Sequence, residues 1–70
     1  MTVSQLIRKY HYKFDTVILI QEGKQLVCYS PKQLNKFELR MEVIKYKWDS
    51  HFDMRLKHLF LDLRIEVKNG

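Results

Sequence analysis

The stretch KYKWDSHFDMRLK, residues 45–57, decides how the second half of this 70-residue chain folds. Large apolar side chains and cations alternate on both sides of a short polar centre, a pattern typical of a strand, a turn and a second strand. In that interpretation the segment from Asp49 to Asp53 is the turn of a long antiparallel hairpin. The alternation therefore predicts strands over residues 42–48 and 59–68.

A helix is the rival interpretation of the same stretch. Ser50 with Asp53 has the form of a capping box, and apolar residues between Phe52 and Leu63 fall at helical spacing. A short helix would then precede the last strand. Residues 49–58 are therefore left open between a turn with strand and a short helix.

One hairpin register explains several coincidences in the sequence. It aligns the two points at which the apolar alternation changes phase, and it brings opposite charges together across the strands. We therefore predict this register. The predicted pairs are Trp48 with Met54, Tyr46 with Leu56, Glu38 with Arg64, and Arg40 with Asp62.

Local signals predict the elements that come first in the chain. Thr2 with Gln5 has the form of a capping box, and the helical spacing that follows predicts a helix to about His11. Residues 15–29 are rich in apolar and β-branched side chains around the turn sequence Glu22-Gly23, which predicts a β-hairpin. The VILI run within it suggests a strand covered on both faces.

A second helix is predicted to start at Pro31. Ser30 supplies an N-cap, proline is favourable in the first turn, and Gln33 stands where its side chain can reach back to the cap. We expect the change from helix to strand between Phe37 and Glu42.

Together these elements predict an α+β fold: an N-terminal helix, a β-hairpin, a short second helix and two further antiparallel strands. The sheet is small, with the helices on one face, and residues 1–70 are expected to form a single domain. Hydrophobic residues make up 46% of the chain and charged residues 30%, which excludes a disordered tail.

Charge and cysteine content indicate the class of partner and the compartment. The net charge of +5 favours acidic partners or polyanions. The single cysteine, Cys28, lies in an apolar run, so we expect a buried structural thiol and a reducing, cytoplasmic location. The longest apolar run is far shorter than the ~20 residues of a membrane span, so no membrane association is expected.

No catalytic, metal or cofactor site is predicted, and the chain is expected not to be an enzyme. No motif places a base beside Cys28. His51 and His58 are seven residues apart in sequence, which on a helix separates them by ~10 Å, too far to share an ion. Gly23 is the only internal glycine, so a phosphate-binding glycine-rich loop is absent.

The opening stretch also contains the predicted binding residues. In the predicted register Lys45 lies opposite Lys57 and Lys47 opposite Arg55, an arrangement that is mildly destabilising and that a binding role would explain. The aromatic residues lie on the opposite face, where Trp48 is either part of the core or an exposed anchor. The predicted partner-binding or nucleic-acid-binding residues are Lys45, Lys47, Arg55, Lys57, Tyr46 and Trp48.

The segments FELRMEVIKYKW and LFLDLRIEV, preceded by the capped helix, the apolar hairpin and the SPxxL helix start, resemble short uncharacterised accessory proteins of Gram-positive phages and conjugative elements. The resemblance implies a small protein that binds and modulates a host protein or ribonucleoprotein; anti-CRISPR inhibitors of effector nucleases are one such class. The alternative expectation is a β-ribbon that contacts nucleic-acid phosphates through its basic face. Self-association as a homodimer is also considered, because small domains gain stability from it.

Overall fold

The computed structural model describes residues 1–11 and 13–68, with the side chains of residues 27–29 outside the description. It has the predicted α+β fold, with the elements in the predicted order. The sheet has four strands in the order β2-β1-β4-β3. The elements are α1 (Val3–Lys9), β1 (Thr16–Gln21), β2 (Lys24–Tyr29), a 3-10 helix (Pro31–Gln33), α2 (Lys36–Leu39), β3 (Val43–Asp53) and β4 (His58–Val67).

Helix α1 begins at the predicted capping box. The Gln5 N–H donates to Thr2 Oγ1 at 3.2 Å, and the Thr2 N–H donates to Gln5 Oε1 at 2.8 Å. These bonds satisfy amides that the first turn would otherwise leave unpaired. The apolar stripe of Val3, Leu6 and Ile7 is fully buried, which fixes the helix against the sheet.

The first hairpin is also where the sequence predicts it. Glu22 and Gly23 connect its strands with φ angles of 52° and 79°, the left-handed geometry of the tight turns that suit hairpins. Val17, Ile18 and Leu19 are all buried, but only Val17 and Leu19 belong to the hydrophobic core, so the predicted cover on both faces is present as side-chain burial alone. Cys28 lies in β2, and the prediction that its thiol is buried falls outside the described side chains.

The second helix differs from the prediction. The segment from Pro31 forms one turn of 3-10 helix, and the predicted cap at Ser30 is wrong because that side chain makes no capping hydrogen bond. A new helix, α2, starts after Asn35, whose side chain accepts the Glu38 N–H at 2.8 Å while the Glu38 carboxylate accepts the Asn35 N–H at 2.9 Å. Because Leu34 is extended between the 3-10 turn and Asn35, α2 is a separate helix that begins at its own capping box.

Strands β3 and β4 pair as an antiparallel hairpin, so the helical alternative for residues 49–58 is wrong. The predicted register is wrong too. The turn lies at residues 54–57, after Asp53 has paired with His58, and Trp48 is therefore opposite Leu63 instead of Met54.

The predicted opposite-charge pairs fail with that register. Glu38 lies in α2 and not beside Arg64, and Asp62 pairs with Asp49 and not with Arg40. The phase change that suggested the register has another cause, a β-bulge between Val43 and Lys45. A bulge inserts one residue and so reverses the alternation.

The last strand, β4, lies between β3 and β1 and runs parallel to β1, with Val17 beside Leu63 and Leu19 beside Ile65. The hydrophobic core forms between α1 and the face of the sheet that carries Val17, Leu19, Leu63 and Ile65. We call this face the helix-side face and the opposite face the outer face. The buried core residues are Val3, Leu6, Ile7, Phe14, Val17, Leu19, Leu34, Leu63, Ile65 and Val67. Within the described part of the chain, no helix is long and apolar enough to span a membrane.

Candidate binding surface

The β3–β4 hairpin projects beyond the rest of the sheet. Strand β1 pairs with β4 only from Asp62 onward, and Asp15 closes that end by accepting the Leu61 N–H at 2.9 Å. Residues 58–61 and their partners 50–53 therefore form a two-stranded extension. The projection contributes to an elongated shape of 38 × 25 × 19 Å.

The helix-side face changes from buried to exposed along this hairpin. On β4 the side chains of Leu63 and Ile65 are fully buried, whereas Leu61 is 38% and Leu59 61% exposed. Phe52, directly opposite Leu59 on β3, is 55% exposed. The turn adds two more exposed apolar residues. We call this group of exposed apolar side chains the apolar hairpin face. Phe52, Leu59 and Leu61 lie on the helix-side face of the strands, and Met54 and Leu56 lie in the turn.

The turn that ends the hairpin is held by Asp53. Its Oδ1 accepts the N–H groups of Arg55 and Leu56 at 2.8 and 3.0 Å, an arrangement common for aspartate in turns. Lys57 adopts a φ of 48° to complete the reversal. These bonds to the Asp53 carboxylate hold the backbone of the turn that carries Met54 and Leu56.

The predicted cations do not form one basic surface. Lys45 makes an ion pair with Glu66 at 3.4 Å, and Lys47 lies opposite Arg64 on the outer face. Arg55 and Lys57 lie in the turn, more than six residues along the strand, which at about 3.3 Å per residue is roughly 20 Å or more from Lys47. The predicted opposition of Lys45 with Lys57 and of Lys47 with Arg55 is therefore wrong.

The two predicted aromatic residues lie on the helix-side face, where α1 reaches them. The hydroxyls of Tyr46 and Tyr10 are 2.7 Å apart. Trp48 packs edge-on against Tyr10 and Phe14, with ring centroids 4.9 and 5.8 Å away. Trp48 is nevertheless 39% exposed, so it lies at the boundary between the core and the apolar hairpin face.

The Tyr10 phenol has a perturbed acidity. Its hydrogen bond with Tyr46 raises the pKa of Tyr10 above the usual value, and desolvation and the neighbouring phenol act in the same direction. A hydrogen bond that a phenol donates is lost on ionisation, so the bond favours the protonated form. The end of α1 is thereby tied to β3 beside Trp48.

Sequence reasoning missed a polar cluster on the outer face. Asp62 is only 5% exposed, and its Oδ2 lies 2.7 Å from Nδ1 of His51. The His51 ring stacks on Phe60 with centroids 5.1 Å apart, and His58 meets Phe60 edge-on at 4.6 Å. The described residues contain no group of three or more possible ligands for a metal ion. Only the observed register, which sets His51 opposite Phe60, brings these residues together.

A second apolar surface lies where β1 and β2 meet α2. This open depression has a volume of about 730 Å³, and Phe37 on its wall is 71% exposed. Glu38, which also lines it, is engaged in the cap of α2. Its walls include Leu19, Leu26, Phe37 and Met41 but no residue of the apolar hairpin face.

The chemistry of the hairpin end is that of apolar contact bordered by positive charge. No protein-family model, curated protein or solved structure matches this chain. Exposed apolar side chains that adjoin each other, as Phe52 and Leu59 do across the hairpin, are typical of a protein-binding site.

Proposed function

We propose that this chain is a non-enzymatic binding module that attaches to a protein or ribonucleoprotein target through the apolar hairpin face. The observation that carries the proposal is the adjacency of Phe52 and Leu59, opposite each other and both more than half exposed. Such side chains gain free energy when a partner removes them from water, at roughly 25 cal/mol per Å² of apolar area. A target with a complementary apolar pocket would supply that burial.

The charges at the same end specify the target further. Arg55 and Lys57 lie in the turn with Met54 and Leu56, and the whole chain has a net charge of +5. Complementary charge guides encounter and selects among apolar partners. The target surface that fits is an apolar pocket bordered by acidic side chains.

The resemblance to accessory proteins of Gram-positive phages and conjugative elements supports the biological setting of this proposal. In that setting the chain acts in the cytoplasm and binds a host protein or nucleoprotein, such as a CRISPR effector. Occupying a functional surface of the target would inhibit it. The hairpin, as a projecting element, suits insertion into such a surface.

Nucleic-acid binding by the outer face is the second candidate function. The observation that favours it is the side-by-side position of Lys47 and Arg64. Against it, Glu66 pairs with Lys45, and Asp49 and Asp62 lie opposite each other on the same face. These carboxylates offset the positive field that phosphate binding requires.

Affinity capture with matched variants tests the proposed function. Tagged wild-type chain, the Phe52→Ser/Leu59→Ser variant and the control Phe37→Ser are incubated with lysate of a Gram-positive host, and bound proteins are identified by mass spectrometry. All three replaced side chains are exposed, so circular dichroism should show the same fold. We expect proteins that the wild type and the Phe37 variant capture and the hairpin variant loses.

Two outcomes contradict the proposal. One is a partner that the hairpin variant retains at wild-type level. The other is fluorescence anisotropy showing that oligonucleotides bind with a log–log salt slope of roughly two to four, the slope expected when a few phosphates are neutralised, together with no hairpin-dependent protein partner.

A further inference from the structure

The outer edge of β3 is the longer and more regular of the two sheet edges. At its start the N-terminal segment covers it, since the Val43 N–H donates to the Met1 carbonyl at 2.8 Å. After the bulge, residues 45–53 pair with β4 without irregularity, and within the described chain no strand pairs with their other side. The opposite edge, β2, has only six residues and its pairing contains a register shift. The Ser50 N–H, at the middle of this edge, donates to Asp49 Oδ1 at 2.8 Å and must exchange that carboxylate for a strand partner on pairing. A long, regular edge with no strand beside it is a template for another strand.

The side chains of β3 are arranged to pair with a second copy of themselves. Consider an antiparallel pair of β3 strands related by a two-fold axis at Ser50. On the outer face, Lys47 of each copy then lies opposite Asp53 of the other, and Asp49 opposite His51. The Lys47–Asp53 pair places opposite charges directly across the ladder, which is favourable, and the two-fold axis makes this contact twice.

The helix-side face matches in the same register. Phe52 of one copy lies opposite Trp48 of the other, again twice, with the two Ser50 residues between them. Both aromatic side chains are partly exposed in the single chain, at 55% and 39%. Aromatic pairs across strands are among the stabilising ones.

Neighbouring registers are unfavourable. An axis at Asp49 sets that carboxylate opposite its own copy, and an axis at His51 sets Asp49 opposite Asp53; both oppose like charges within the strand. The Ser50 axis sets like charges opposite only at Lys45 and Arg55, and Arg55 lies in the turn beyond β3. An axis at Trp48 brings Asp53 of the second copy against Val43. That position of the edge is already occupied by Met1.

We propose that two copies of this chain associate through the outer edges of β3, antiparallel and centred on Ser50, into one continuous sheet with both helix-side faces on the same side. Leu59 and Leu61 lie on β4, one strand spacing of about 4.8 Å from the paired edge. Pairing therefore leaves these two side chains open to another protein, whereas Phe52 faces Trp48 of the second copy and is shared between the two proposed surfaces. The dimer does not depend on the proposed target-binding function.

Disulfide trapping tests the register. In the proposed dimer the two Ser50 Cα atoms are directly opposite, roughly 4.5 to 5.5 Å apart, within the range that a disulfide can bridge. The two Asp49 Cα atoms are displaced by about two residues along the strand and are roughly 8 Å apart, beyond that range. Ser50→Cys, Asp49→Cys and the wild type, which reports on Cys28, are compared under mild oxidation.

We expect covalent dimer from the Ser50 variant to form at least roughly tenfold faster than from the other two chains, because only its thiols lie within bonding range. Equal rates for the Ser50 and Asp49 variants would overturn the register. A Ser50 variant that stays monomeric would overturn the dimer.

Sedimentation equilibrium of the non-covalent dimer provides the second test. Lys47→Asp replaces two attractive contacts with two repulsive ones and should raise the dimer dissociation constant roughly tenfold or more. Lys24→Asp makes the same charge change on the other edge strand, β2, and should leave the constant within about twofold because β2 takes no part in pairing. Equal effects of the two variants, or a constant monomer mass up to millimolar wild-type chain, would refute the proposal.

Discussion

The hydroxyl oxygens of Tyr10 and Tyr46 lie 2.7 Å apart and join the C-terminal end of α1 to β3. The two residues are 36 positions apart in the sequence. It also raises the pKa of Tyr10 above its usual value, with the bond to Tyr46 as the main cause. Ionisation of Tyr10 should therefore weaken the folded state.

Tyr46→Phe should bring the pKa of Tyr10 back toward about 10, the usual value for tyrosine. Because the pKa in the folded state is raised, the contribution to stability is complete below the unfolded value and is lost as pH rises through the folded value. In the variant this loss of stability above about pH 10 should shrink. Phenolate absorbance and thermal melts against pH measure both effects. If the wild-type titration equals that of the variant plus one phenol of ordinary pKa, the bond to Tyr46 does not raise the pKa of Tyr10.

Trp48→Ala should destabilise the fold more than Phe52→Ala. Trp48 packs against Tyr10 and Phe14, so its loss should cost about 2 to 3 kcal/mol, less than for a fully buried ring. Phe52 is more than half exposed, and its loss should change the free energy of unfolding by about 0.5 kcal/mol or less. Urea unfolding at micromolar chain concentration, where association contributes little, compares them. Equal costs would place Trp48 outside the core.

His51→Ala should destabilise the protein by about 1 to 3 kcal/mol, because it leaves the buried carboxylate of Asp62 without its hydrogen-bond donor. His58→Ala is the matched control, since it removes a second histidine in contact with Phe60 while leaving that carboxylate untouched. The control should cost about 0.5 kcal/mol or less. Chemical denaturation near neutral pH measures the difference, and a larger effect at His58 would argue against the importance of the Asp62 bond.

Asn35→Ala should cost about 1 kcal/mol, the usual effect of removing a helix cap. Ser30→Ala should cost about 0.5 kcal/mol or less, because the Ser30 side chain makes no capping hydrogen bond. Thermal melts of the two single variants suffice. Reversed effects would show that the helix begins at the proline after all.

The elements that the sequence predicts well are those with local causes. The Thr2–Gln5 cap and the Glu22-Gly23 turn act between residues a few positions apart, and both are present. The Asn35–Glu38 cap is also a local pattern. The helix-start signal at Pro31 is stronger, and it led to the wrong predicted start of the second helix. The parallel pairing of β1 with β4 joins distant segments, and no short pattern reports it.

The prediction of the hairpin register was wrong because it depended on two local features that the alternation pattern does not reveal. The bulge after Val43 changes the phase of the apolar alternation, and the predicted register attributed that change to strand pairing. The position of the turn depends on Asp53, whose carboxylate accepts the N–H groups of Arg55 and Leu56. The candidate site was therefore predicted only in part. Tyr46 and Trp48 were correctly placed on one face, but the four predicted cations are divided between the turn and the start of β3.

The position of β4 has a consequence for synthesis of the protein. Strands β1 and β2 come first along the chain and β3 follows, yet β4, which joins β1 to β3 in the sheet, comes after all three. Until His58–Val67 emerges from the ribosome, the nascent chain has two strand groups with no strand between them. Sheets that depend on such distant contacts fold slowly, and a chain released before β4 is made would lack Leu63, Ile65 and Val67 of the core.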